Sequence, residues 1–152
     1  MTSSRTAVVV SLFVFAATLT SVAQTPSLKG VWRIVEVTGA DGKVNPKPEP
    51  GLYIFTDRHY SIMRVNEPRA ALPESPGDKE RLAAFDPFTA NSGTYQVKGT
   101  QLMTQPMVAK NPNVMTGKGG TSELKMEGAN VAYITGGGGP GAKQTFKLQR
   151  IE

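Results

Sequence analysis

The sequence predicts an all-β fold, an eight-stranded up-and-down antiparallel barrel with one short helix. Three observations predict it. Short segments of period-2 alternation, rich in Val, Ile, Thr, Tyr and Phe, recur along the chain, as half-buried strands do. Several are joined by links of two or three residues, which only antiparallel neighbours can use. Sixteen glycines and eleven prolines in 152 residues supply turns and argue against long helices. Eight such strands leave two free edges unless the sheet closes, and closure into a barrel removes both. A two-sheet sandwich is the competing architecture, but it needs long crossovers and most links here are short.

The N-terminus is read as lying outside the fold. Met1–Arg5 carries one positive charge, Ala7–Leu19 is an apolar run, and Ser21-Val22-Ala23 puts small residues where a signal peptidase reads. That is the three-part layout of a secretory signal. The run is shorter than the roughly 20 residues a bilayer span needs; an uncleaved anchor is the competing reading. Residues 1–23 are therefore expected to be a signal peptide and 24–152 a single exported domain, periplasmic or extracellular. A domain of that size buries about two-thirds of its unfolded surface, enough for a core without disulfides.

Strands are expected at about 30–38, 51–56, 59–65, 91–97, 101–108, 121–127, 130–135 and 143–151. Asp57-Arg58 turns the second into the third, Lys98-Gly99-Thr100 the fourth into the fifth, and Gly128-Ala129 the sixth into the seventh. Looser breaks fall at 39–50, 66–90, 109–120 and 136–142. Within the second of these, Asp78 is expected to cap a two-turn helix over Lys79–Phe85. The glycine-rich 136–141 reads as a flexible hairpin loop.

Parity across the tight turns predicts which side chains point inward. Around Asp57-Arg58, Tyr53, Phe55, Tyr60, Ile62 and Arg64 share a face, with Thr56, His59 and Ser61 on the other. Around Gly128-Ala129 the inner set reads Leu124, Met126, Val131 and Tyr133; around 98–100 it reads Tyr95, Val97 and Leu102. The last strand sends Phe146, Leu148 and Arg150 inward, and the first sends Trp32, Ile34 and Glu36. Glu36 and Arg64 thus become charges on inner faces, each needing a partner, water or a ligand. A one-residue slip of register would solvate both.

Composition excludes several chemistries. Zero cysteines remove disulfides, thiolate metal sites and cysteine nucleophiles, and one histidine removes any site that needs two. His59 sits at a hairpin mouth on the predicted outer face and reads as a surface residue. Thr116–Ser122 lacks the Gly-Lys-Ser/Thr order and the strand-to-helix context of a phosphate loop. The acids are too scattered for a calcium loop, so no metal and no cofactor are expected. The net charge of +5 falls to about +4 without Arg5, with the bases dispersed, which speaks against nucleic acid as a partner. An anionic membrane surface is a weak possibility on the same charge.

Leu28-Lys29-Gly30-Val31-Trp32 opens the first strand with Gly-x-Trp, and Arg150 closes the last. This pairing resembles the lipocalins and their calycin relatives. More narrowly, Gly51–Ser61 and Ser92–Val97 look like the bacterial lipocalin-like domain proteins. The resemblance covers most of 28–151 and implies that Trp32 closes the barrel base with Arg150 packed across its ring. The guanidinium would gain about 0.5–2 kcal/mol over the indole while donating to nearby carbonyls. Arg58 stands where family members often carry glycine, and the haem-binding Trp-x-Gly-x-Gly opening is absent, which disfavours haem.

A barrel of eight strands either fills with its own side chains or holds one small ligand. The expected function is binding of a small apolar or amphipathic molecule, including an anionic one, in the lumen. The lumen candidates are Glu36, Tyr53, Phe55, Tyr60, Ile62, Arg64, Tyr95 and Tyr133, with Arg64 as polar anchor. Two alternatives stay open. An isomerase, cyclase or hydrolase would use the same lumen and would lean on an inward Glu36. A filled barrel would act on a protein partner through its loops, chiefly 66–90.

Overall fold

The computed structural model describes residues 27–136 and 143–152. The expected signal peptide and most of the glycine-rich loop lie outside the described residues. The strands are β1 (Gly30–Thr38), β2 (Val44–Asn45), β3 (Gly51–Phe55), β4 (His59–Val65), β5 (Phe88–Lys98), β6 (Gln101–Ala109), β7 (Gly120–Glu127), β8 (Val131–Gly136) and β9 (Gln144–Arg150). β1 and β3 to β9 pair in sequence, all antiparallel, and β9 pairs back onto β1. The sheet is a closed eight-stranded barrel. β2 is a two-residue addition that pairs with Val37 and Thr38 at the end of β1.

The predicted facing pairs hold around Asp57-Arg58 and around Gly99-Thr100, although Lys98, read as part of the second turn, belongs to β5 and opposes Gln101. Phe55 opposes Tyr60, Tyr53 opposes Ile62, and Gly51 opposes Arg64. Val97 opposes Leu102 across Gly99-Thr100, and Gly99 takes a positive φ of 58°. Trp32, Tyr53, Phe55, Leu102 and Leu148 are the largest fully buried side chains, packed with Tyr60, Leu124, Ala132, Ile134 and Phe146. Most of them occupy the half of the lumen nearer the start of β1, while Phe146 and Ile134 lie toward its other end.

Three predicted inward residues, Glu36, Tyr133 and Val131, are corrected. Glu36 faces outward, because β1 carries a β-bulge. Ile34 opposes Leu148, but Glu36 opposes Lys147 and Val37 opposes Phe146. The extra residue, Val35, shifts the alternation by one, so Val37 takes the inner position expected for Glu36. Tyr133 also faces outward. The β7–β8 turn has three residues, Gly128 to Asn130, so Glu127 opposes Val131 and Lys125 opposes Tyr133. Gly128 supplies the positive φ of 64°. The inner residues of β8 are Ala132 and Ile134. The Tyr133 ring lies between Lys125 and Lys147, and its hydroxyl donates to Glu127 at 2.9 Å.

A second register shift separates Ser92 from Gly93 on β5, opposite Val108 and Pro106 on β6. Pro106 sits at this irregularity, where a missing N–H is tolerated. A Cβ at Gly93 would overlap the Gln105 carbonyl oxygen.

The helix α1 spans Asp78–Phe85 and buries none of its residues. Its N-cap is Gly77, with no side-chain cap, and Asp78 is the first helical residue instead of the cap. Lys110 donates to the Asp86 carbonyl at 3.0 Å and to that of Phe85, tying the end of α1 to the end of β6.

Candidate functional site

The barrel has two unlike ends. At the closed end, Trp32 is fully buried and its Nε1 donates to the Leu28 carbonyl at 2.7 Å. Arg150 opposes Trp32 in the β1–β9 pairing, with its guanidinium carbon 4.1 Å from the centre of the indole. Arg150 Nε donates to the Ala129 carbonyl at 2.7 Å, and its terminal nitrogens reach the carbonyls of Lys29 and Ser27. Three segments distant in sequence meet there: the lead-in with β1, the β7–β8 turn and β9. Lys29 also pairs with Asp57 at 2.7 Å, which pins the lead-in to the β3–β4 turn. The hydrogen bond and charge of Lys29 hold the Asp57 carboxyl below its usual range.

At the opposite end lies a cavity of about 420 Å³. Ile34 and Val37 of β1, Phe146 of β9 and Arg64 of β4 form its barrel side. The link from β2 to β3 crosses it and contributes Asn45, Lys47, Pro48 and Glu49. That link reads Asn45-Pro46-Lys47-Pro48-Glu49-Pro50, with proline at every second position, so its φ angles are set before any ligand arrives. Asn66 and Pro68, just after β4, and Gln144 on β9 complete the rim. A cavity of this size falls within the roughly 300–1,000 Å³ range of small-molecule sites.

Arg64 is the ionic centre of this end. Its guanidinium carbon stands 4.2 Å from the Phe146 ring centre, and one Nη donates to the Tyr53 hydroxyl at 3.3 Å. Its Nε is buried with no hydrogen-bond partner. Neither ion pair among the described residues includes Arg64. Burial pushes the Tyr53 phenol above its ordinary value, and the adjacent Arg64 offsets part of the rise. Tyr53 therefore stays a neutral phenol behind the guanidinium at physiological pH.

The expected lumen residues separate into three groups. Arg64 alone reaches the cavity. Tyr53, Phe55, Tyr60, Ile62 and Tyr95 are on the inner face but pack into the core and do not line the cavity. Phe55 meets Tyr95 edge to face at 5.1 Å, and the Tyr95 hydroxyl donates to the Thr56 carbonyl at 2.7 Å. Glu36 and Tyr133 are on the outside. Phe146 and Ile34 were legible as inward residues, though not as ligand contacts. Val37 was hidden by the bulge. Lys47 and Glu49 lie in a stretch that composition marks only as a loose break; its alternating prolines were the available signal. Among the described residues, no cluster of His, Asp or Glu side chains is arranged to hold a metal ion.

No protein-family model matches this sequence, and no curated protein matches it. Two solved structures are similar in shape. One is a redesigned β-barrel, 16% identical with a TM-score of 0.46, the match covering 82% of this chain and 92% of that one. The other is an uncharacterised protein from Bacteroides eggerthii DSM 20697, 12% identical with a TM-score of 0.48, covering 82% of this chain and 99% of that one.

Proposed function

We propose that this chain is an exported, lipocalin-like binding barrel that holds a small amphipathic molecule in the cavity at its open end. The observation that carries the reading is Arg64. A half-buried guanidinium without an acidic partner, beside apolar Ile34, Val37 and Phe146, is unfavourable unless something compensates its desolvation. A ligand with an acceptor head and an apolar body would supply that compensation. The enzymatic alternative loses its proposed acid, since Glu36 faces away from the lumen. Export is proposed from the leader alone, and the matching observation would be a mature N-terminus at Gln24.

The test is titration of the purified chain with a neutral apolar dye, followed by displacement with small amphipathic molecules. Micromolar binding is expected, since modest apolar burial plus one polar anchor reaches about that affinity after association costs. A dye that stays unbound at about millimolar concentration, with the protein folded, would overturn the reading.

A further inference from the structure

Resting on the reading of the open-end cavity as a ligand site, we infer that its occupant is a compact monocarboxylate with a short apolar body, and that long acyl chains are excluded. Three features of the cavity point there.

The first is charge. The ionisable groups lining the cavity are Arg64, Lys47 and Glu49, two cations against one anion. A ligand carrying one negative charge balances them; a dianion overshoots and a neutral molecule leaves Arg64 uncompensated.

The second is the donor geometry of Arg64. One Nη is engaged by the Tyr53 hydroxyl, and Nε is buried. The other Nη makes no hydrogen bond among the described residues and is not one of the buried orphan atoms. As the unbonded nitrogen of a side chain that lines the cavity, it is the donor left for a ligand. Stacking on the Phe146 ring at 4.2 Å and the bond to the Tyr53 hydroxyl at 3.3 Å restrain the guanidinium, which favours one orientation of the charge. Planar guanidinium and planar carboxylate suit each other through charge-assisted hydrogen bonds. Tyr53 acts as a positioning residue, since it reaches the ligand only through Arg64.

The third is depth. Below the cavity the lumen is occupied by Tyr53, Phe55, Trp32 and Leu148, all fully buried. Among the described residues, these packed side chains block the way of a tail toward the closed end. Methylenes beyond the cavity could lie only along the more open outer groove of Val65, Ala70, Leu72 and Ala84, half in water, and would add little to binding.

The experiment measures 3-phenylpropionate, 3-phenylpropanamide, palmitate and phenyl phosphate against the chain, by calorimetry and by displacement of Nile red. The propionate is expected to bind at least ten-fold tighter than its amide and tighter than palmitate or phenyl phosphate. Arg64→Gln is expected to erase the preference for acid over amide. Tyr53→Phe should reduce that preference several-fold without erasing it, while leaving amide binding unchanged. Lys47→Glu, on the exposed rim, reverses the cavity's net charge without touching the core. It should weaken the propionate ten-fold or more and spare the amide, whatever the stability of the Arg64 variant. Equal binding of acid and amide would overturn the carboxylate class while the cavity reading stood. Tighter palmitate would overturn the size limit, and tighter phenyl phosphate the single charge. Failure of every ligand and of Nile red would instead overturn the cavity reading itself.

Discussion

At the residue scale, two side chains show how much a single polar group matters inside this barrel. Arg150 donates to the carbonyls of Ser27 and Lys29 in the lead-in and of Ala129 in the β7–β8 turn, and covers Trp32. Replacing it with Met leaves those carbonyls without their donor and strips the indole of its cation. Hydrogen bonds to charged groups contribute about 1.5–3 kcal/mol each, though never additively. Arg150→Met should therefore destabilise by about 3 kcal/mol, and Arg150→Lys should recover little of it, because an ammonium lacks the planar fork. Urea unfolding followed by Trp32, the sole tryptophan, measures both. Tyr60 is the opposite case. Its hydroxyl is buried without a partner of good geometry, although the Thr104 hydroxyl beside it offsets part of the upward push on its pKa from burial. Tyr60→Phe removes an unsatisfied group and keeps the ring, so a gain of about 1 kcal/mol is expected. A loss of that size would mean that the hydroxyl is bonded after all.

At the element scale, irregularities decide more than regular strands do. The bulge at Val35 and the offset at Ser92/Gly93 each add a residue to one strand, and each changes which side chains meet the interior. Gly93 is the sharper test, because any side chain there runs into the backbone of Gln105, which cannot swing aside. Gly93→Ala should cost about 3 kcal/mol, at the upper end of overpacking penalties, and denaturant midpoints would record it. The bulge yields a paired prediction. Glu36→Ala should change stability by less than about 0.5 kcal/mol, as at ordinary surface sites. Val37→Lys places a second cation beside Arg64 and Phe146 on the inner face and should cost about 2 kcal/mol or more. If the two effects were reversed, Glu36 would be the inward residue and the bulge would be wrong. Of the helix, position and length were legible from Pro76-Gly77 and the run that follows. Its lack of buried residues was not, since amphipathicity says nothing about whether a partner surface exists.

At the scale of the whole molecule, the phenols set a limit on the alkaline side. Burial raises Tyr53, Tyr60 and Tyr95, and the nearby Asp57 raises Tyr95 further. A phenol raised in the folded state favours the protonated form there. Its contribution is complete below the unfolded value near 10, and is lost as pH rises toward and through the folded value. Stability measured by urea unfolding should be flat between about pH 7 and 9 and fall above about pH 10. Tyr53→Phe should flatten that fall. An unchanged alkaline slope in the variant would show that other groups carry it. Closure is the other property of the whole. The β1–β9 pairing leaves neither strand as an open edge of the barrel, so these two strands support each other at the Trp32 end.

The sequence by itself determined the strand spacing, the antiparallel order, the closing pair Trp32 and Arg150, and the inward face of β3 and β4. The spacing, the order and the inward face follow from local alternation and short turns, which constrain a chain before it folds; the closing pair is what the resemblance of Gly30-Val31-Trp32 and Arg150 to the calycin barrels implies. Tertiary structure alone decided which way Glu36 and Tyr133 point, and how deep the cavity runs. A strand changes face with a one-residue shift, and where a closing barrel takes up its extra residue depends on the partner strand rather than on the bulged one. Likewise a three-residue turn and a two-residue turn can be written with the same letters around Gly128, and only pairing with the neighbouring strand selects between them. The cavity is what remains after aromatic rings from distant strands have packed the base, a volume that no single segment encodes.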